Sequence, residues 1–194
     1  TLSLHDALPI WQSRFKHHFL LAMPSLAGSY FGETVTYVCE HSEEGALGLM
    51  INRPLPDVQL GELFDQLEIT GTAHRERPVL EGGPVQRDRG FVLHTDDVFL
   101  ESSLRIADGL ALTTAREILT AIADDAGPER FLVCVGYAGW GAGQLESEMS
   151  ENSWLTAPAD LDVIFDVPFD ARVDRAAAAL GIDFRLISGE AGHG

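Results

Sequence analysis

Lysine is almost missing from this chain: Lys16 is the only one in 194 residues, so nearly all permanent positive charge is arginine. Thirteen Lys and Arg stand against thirty Asp and Glu, for a formal charge of −17. Gripping a nucleic-acid backbone against that field requires a local basic patch. The nearest approach to one, Arg75, Arg77, Arg87 and Arg89, is interleaved with Glu76, Glu81 and Asp88. Direct nucleic-acid binding is therefore disfavoured. Cysteine is scarce too. Cys39 and Cys134 each lie in an apolar stretch, where a small buried hydrophobe is expected, and a disulfide would require neighbouring strands. No apolar run approaches the ~18 residues of a membrane span. The run after Arg14-Phe-Lys-His-His stops at Pro24, short of the roughly 7 residues a secretory leader needs. These absences point to a cytosolic protein without membrane contact.

Catalytic and cofactor signatures are missing as well. Seven histidines form no His-x-x-x-His pair and the cysteines no Cys-x-x-Cys, so no metal centre is expected. Neither Gly82-Gly83 nor the Gly139, Gly141, Gly143 cluster has the form of a phosphate or dinucleotide loop, and turn-forming glycine is the reading for both. There is no Gly-x-Ser-x-Gly elbow, and neither cysteine carries a local sign of thiolate activation. No cofactor is implied.

Apolar residues make up 45%, an ordinary globular composition, and the length suits a single domain or at most a two-lobed one. Phe19 to Met23 reads as a short strand whose edge is available for pairing across a dimer. Thr34 to His41 alternates as a half-buried strand, and Ala46 to Asn52 is its hairpin partner. Leu60, Leu63, Phe64 and Leu67 fall at i, i+3, i+4 and i+7, the stripe of an amphipathic helix. Val79 to Glu81, Gly90 to Thr95 and Leu110 to Leu112 read as strands. Thr114 and Glu117 form a capping-box pair before a helix that buries Ala115, Ile118, Leu119 and Ile122 and ends at Gly127-Pro128. Phe131 to Val135, apolar on both faces, reads as a central strand. A glycine turn then leads into a helix from about Gly143 to Asn152. The last helix runs from an Asp170 cap to Gly181 and buries Val173, Ala176, Ala177 and Leu180. Hairpin neighbours outnumber strand-helix-strand units. The expected class is α+β, with a mostly antiparallel, strongly curved sheet flanked by helices.

Several motifs occur in a fixed order: His18-Phe-Leu-Leu-Ala-Met-Pro24, Glu40-His41, Gly45-Ala-Leu-Gly-Leu-Met-Ile-Asn-Arg-Pro54, Gly82-Gly-Pro-Val85, Gly90-Phe-Val-Leu-His94 and Gly136-Tyr-Ala-Gly-Trp-Gly-Ala-Gly-Gln-Leu-Glu146. In this order the chain resembles the YqgE/AlgH family from about His18 to Ser188. The resemblance implies a bacterial cytosolic protein with a bifurcated sheet folded into a pseudo-barrel. It also implies a poorly defined function, one branch being described as a transcriptional regulator of exopolysaccharide synthesis. Gly28-Ser29-Tyr30 stands where that family often has Asp-Pro, and Val173 where it often has tryptophan. Residues 18–194 are expected to be one domain of this kind. Residues 1–17 are expected to be an extension, with residues 1–10 foreign to it.

Gln144, Glu148 and Asn152 recur every four residues and share one helix face, with Trp140 and Trp154 near its ends. That face suits a polar small molecule, or else it is a solvated surface with tryptophan anchors. Asn52 and Arg53 close a hairpin, and Arg53 offers positive charge to an acidic ligand or partner. His41 and His94 end strands beside acidic residues. The candidate ligand-binding set is Asn52, Arg53, His94, Tyr137, Trp140, Gln144, Glu148 and Asn152, with no catalytic residue assigned. The favoured reading is a non-enzymatic regulatory or adaptor protein acting on a protein or small-molecule partner. A hydrolase or transferase using Glu148 with His41 or His94, and a direct DNA binder, are the alternatives.

Overall fold

The computed structural model describes residues 14–190, so the expectation for residues 1–10 lies outside the described residues. In chain order the elements are β1 (His18–Ala22), β2 (Val35–Ser42), β3 (Gly45–Met50), β4 (Pro54–Gln59), α1 (Leu60–Gln66), β5 (Pro78–Glu81), β6 (Val85–Thr95), β7 (Leu104–Ala107) and β8 (Leu110–Thr113). There follow α2 (Arg116–Ala123), β9 (Phe131–Gly141), α3 (Gln144–Ser150), β10 (Trp154–Pro158), α4 (Leu161–Phe165), α5 (Arg172–Ala178) and α6 (Phe184–Glu190). They form two compact units. One takes the chain through Asn52 and from Ala138 on; the other is Arg53–Tyr137. The class is α+β with a curled, mostly antiparallel sheet, as the strand pattern predicts.

In the first unit the strands run β10-β1-β2-β3-β9, antiparallel throughout. Phe19, Leu20 and Leu21 are fully buried because β1 has a neighbour on both sides. The free edge expected at Phe19 to Met23 is therefore absent: β10, which the residue pattern did not reveal, lies along it. A register shift between Val38 and Glu40 bulges β2, and bulges bend and twist a strand. Phe15, Leu20, Val38, Trp140, Leu145 and Trp154 pack into this unit's aromatic core. Buried Arg172 in α5 donates from Nε to the Val167 carbonyl at 2.8 Å and from Nη1 to the Ile51 carbonyl at 2.5 Å. Its guanidinium lies over Phe169, so a buried charge is stabilised by acceptors and a ring face.

In the second unit the order is β4-β5-β9-β6-β8-β7, with β5 parallel to β9 and the other pairs antiparallel. Pro54 opens β4, an edge strand where a missing N–H is tolerated. On one face α1 and α2 supply Leu60, Phe64, Ile118, Leu119 and Ile122, which meet Val92, Phe131 and Val133 of the sheet. Burial of each such side chain stabilises by about 1.5–3 kcal/mol.

Four local expectations are corrected. The Thr114/Glu117 capping box does not form: Ala115 takes the N-cap position without a side-chain cap and is only half-buried. Gln59 opens α1 instead, its N–H donating to Glu62 Oε2 at 3.3 Å. Of the glycines expected to form a turn, Gly139 and Gly141 lie in β9, which continues to Gly141 and pairs with β3, and Gly143 alone of the three lies in the turn before α3. The helix expected from Asp170 to Gly181 is a 3-10 turn at Phe169–Ala171 followed by α5, which ends at Ala178, and α6 is a further helix that the residue pattern did not reveal; Asp170 lies inside the turn, Val173 is half-buried, and Leu180 is exposed.

Gly136 sets a hard local constraint. Its φ is +75°, and a Cβ there would lie 2.3 Å from the Gly83 carbonyl oxygen. Gly143, N-cap of α3, has φ +74° but no atom within 4 Å of such a Cβ. Gly143→Ala should therefore cost roughly 1–2 kcal/mol, the left-handed penalty alone. Gly136→Ala adds backbone displacement and should cost at least about 2–4 kcal/mol. Urea denaturation of the two variants measures the difference.

Candidate functional site

The helical face of the second unit is not completely filled. A cavity of about 180 Å³ lies among Leu63 and Leu67 of the α1 segment, Val92, Leu119, Val133 and Val135, with Thr113 at its buried side. Asp88, Thr114 and Arg116, all exposed, line the rest. The sequence creates this opening in two ways. Between Val85, opposite Tyr137, and Gly90, opposite Val135, β6 leaves its register, which carries Asp88 out of the ladder. Branched and small side chains on β6, β8 and β9 then leave volume that Leu63, Leu67 and Leu119 do not occupy.

Beside the cavity lies a chain of hydrogen bonds. His94, fully buried, has Nδ1 2.8 Å from the Thr95 carbonyl and Nε2 2.7 Å from Thr113 Oγ1. A carbonyl only accepts, so Nδ1 carries the proton. Burial pushes the His94 imidazole below its ordinary 6.5, with opposing influence from the Thr95 carbonyl, Asp97 and Asp96, so the ring is neutral near pH 7. Nε2 then accepts the Thr113 O–H. Ser103 Oγ, 2.7 Å from Thr113 Oγ1, donates to it and itself accepts the Leu100 N–H at 2.9 Å. Sequence reading singled out His94 but neither Ser103 nor Thr113. The available signal was strand alternation, which sets Thr113 two residues beyond Ala111, the register partner of His94.

The remaining candidates divide between the units. Arg53 and Tyr137 belong with His94 in the second. The Arg53 carbonyl accepts the Glu81 N–H at 2.8 Å, and the Tyr137 ring packs edge-on to Phe91. In the first unit Asn52 accepts the Val35 N–H and donates to the Glu33 carbonyl, both at 3.0 Å. Gln144 Oε1 accepts the Gly141 N–H at 2.9 Å, and its amide donates to Glu148 Oε2 at 3.4 Å. Glu148 Oε1 accepts the Trp154 indole N–H at 3.5 Å. Trp154 lies edge-on to Trp140, which stacks with Phe31. Asn152 is exposed with φ 59°. Gln144 and Glu148 of the helix face are thus brought together with both tryptophans through contacts to near neighbours in the chain.

His41, fully buried, pairs with Glu146 rather than Glu148. Its Nδ1 accepts the Phe15 N–H at 3.3 Å, so Nε2 carries the proton that it donates to Glu146 Oε1. Among the described residues no group of three or more His, Cys, Asp or Glu side chains is placed to hold a metal ion. Cys39 and Cys134 are buried and are not joined in a disulfide. No helix among the described residues is long and apolar enough to cross a membrane.

A family model described as AlgH-like matches residues 19–185. A UPF0301 protein of Thioalkalivibrio sulfidiphilus is 51% identical over 182 residues, spanning 93% of this chain and 97% of its own. A UPF0301 protein of Cupriavidus pinatubonensis is also 51% identical, over 91% of this chain and 94% of its own. The solution structure of the AlgH protein from Pseudomonas aeruginosa is 47% identical, superposes with a TM-score of 0.77 and covers 93% of this chain and 96% of its own. A Corynebacterium diphtheriae protein shares the fold at 21% identity and a TM-score of 0.69, covering 89% of this chain and 90% of its own.

The buried neutral His94 couples stability to pH. Because its folded-state affinity for a proton is depressed, the unfolded chain protonates first as pH falls. The stability this histidine supports is complete above about pH 6.5 and declines below it, with a slope of up to about 1.4 kcal/mol per pH unit. His94→Gln, whose amide can donate to the Thr95 carbonyl and accept from Thr113, should remove that portion of the slope. Denaturation midpoints of both proteins between about pH 8 and pH 5 check it.

Proposed function

The chain belongs to the AlgH-like family, and we propose that it works without turnover, as a regulatory or adaptor protein whose state is set by a small ligand in the cavity of the Arg53–Tyr137 unit. The observation that carries this reading is the cavity itself. It combines an apolar wall with a few polar groups, the composition of small-molecule sites, although it is smaller than the roughly 300–1,000 Å³ that drug-sized ligands occupy. The bacterial relatives support a bacterial setting, and the reading places the protein in the cytosol. The charge of −17 speaks against regulation by direct DNA contact. The Gln144, Glu148 and Asn152 face of the first unit is proposed as surface available to a protein partner, and so, separately, are Asn52 and Arg53.

Group transfer is a second reading, favoured by the neutral His94 accepting the Thr113 O–H at 2.7 Å, the contact between base and nucleophile that such chemistry uses. It differs from the alternative weighed from sequence, a hydrolase or transferase using Glu148 with His41 or His94. Release of nitrophenol from small nitrophenyl esters, abolished in His94→Gln, would move the balance to this reading.

Ligand binding makes a thermal prediction. A compound at about a hundred times its dissociation constant adds roughly 2.7 kcal/mol and should raise the melting midpoint by on the order of 5–10 °C at this size. Leu119→Trp, which fills the cavity, should abolish the response, whereas Gln144→Ala with Glu148→Ala should leave it intact. A response that survives Leu119→Trp, or that is lost in the double variant, would move the site to another place.

A further inference from the structure

Resting on the binding reading of the same cavity, we infer that its ligand is a benzene-sized apolar molecule with one hydrogen-bond donor, a phenol or small aromatic amine whose O–H or N–H reaches Thr113 Oγ1. Size comes first. At about 180 Å³ the space slightly exceeds the roughly 150 Å³ of an apolar cavity that takes benzene, so a six-membered ring with one more heavy atom fits. Val92, Leu119 and Val133 give that ring apolar contact on several sides.

Polarity is set by the direction of the hydrogen-bond chain. The Leu100 N–H donates to Ser103, Ser103 to Thr113, Thr113 to His94 Nε2, and His94 Nδ1–H to the Thr95 carbonyl. Every hydrogen in this series is committed. The orientation is fixed at its far end, because a carbonyl has no proton to give and a neutral imidazole has only one. Thr113 Oγ1 is left with one lone pair and no hydrogen for a ligand. It is the buried polar side chain on the cavity wall, since Asp88, Thr114 and Arg116 are exposed. A ligand ether, carbonyl or carboxylate reaching that end meets an acceptor and gains nothing, whereas an O–H or N–H completes the chain.

Direct tests use the intact protein, with phenol and aniline as donors, fluorobenzene and toluene as isosteric non-donors, and anisole, one heavy atom larger, as an acceptor without a donor. Affinities are read by titration of protein NMR shifts at about pH 7.5. Donors are expected to bind about fivefold to tenfold more tightly than non-donors, the worth of one hydrogen bond. Nuclear Overhauser contacts from the phenol ring to the Thr113 methyl place the ligand in the unaltered protein. In Thr113→Val phenol is expected to fall to the toluene affinity while toluene is unchanged. If that variant does not fold, the donor series and the Overhauser contacts in the wild type decide the matter. Equal binding of all five probes at the cavity would overturn the donor requirement and leave the cavity a binding site. Tighter binding of anisole than phenol would overturn it by showing a reversed chain. No binding by any probe, at concentrations up to about 10 mM where a Kd of 1 mM saturates, overturns this inference together with the cavity reading beneath it.

Discussion

One strand makes two incompatible sets of pairings, and a single residue without a side chain permits it. β9 pairs with β6 on one side as far as Tyr137 and with β5 on the other at Cys134 and Val135; from Ala138 it pairs with β3. At the change sits Gly136, in the left-handed region and pressed against the Gly83 carbonyl. An L side chain there would meet both a conformational penalty and a backbone atom that has nowhere to go. Gly136 thus serves close backbone approach to the Gly83 carbonyl. Each unit organises its sheet around its own half of this strand.

The cavity is a consequence of the same irregularity. Where β9 changes partner, β6 loops out for several residues and returns at Gly90, so the sheet presents a gap that α1 and α2 cover incompletely. Polar residues at the closed end satisfy each other instead of facing water, which is how a histidine and two hydroxyls can be buried in an apolar unit without a large penalty. That mutual satisfaction also orients every proton. A wall that would otherwise be chemically ambiguous becomes an acceptor.

The first unit spends its polar residues differently. His41 joins Glu146 of α3 to the Phe15 backbone, Asn52 ties the end of β3 to β2, and Arg172 collects two carbonyls. Gln144 and Glu148 link α3 to β9 and β10. The glycine and tryptophan segment that stands out in the sequence is here a corner in which two indoles, Phe31 and a short helix hold one another.

Much of the fold was legible because periodicity reports burial. The apolar stripe of α1 and the core face of α2 follow from 3.6-residue spacing, and β9 from an apolar run; β2 forms where alternation placed it, but Thr34 and Thr36 are buried along with Val35 and Tyr37, so the strand is covered on both faces rather than half-buried. Composition alone set the charge and made a nucleic-acid surface a poor fit. Other features left no local trace. β4 begins with a proline, β7 and β10 are short, and the last helical region breaks where Leu180 proved to face solvent. Of the candidate residues, His94 was visible as a strand-end histidine, but its partners come from residues 9 and 19 positions further on. Sequence determined which faces are apolar, where backbone needs glycine and how acidic the chain is, because these are properties of single residues and their near neighbours. Tertiary structure alone decided that His94, Thr113 and Ser103 meet beside an unfilled space, and that Glu146 rather than Glu148 takes His41. Hydrogen-bond partners and voids are set by strand register and by how two helices settle on a sheet, quantities that no local spacing encodes.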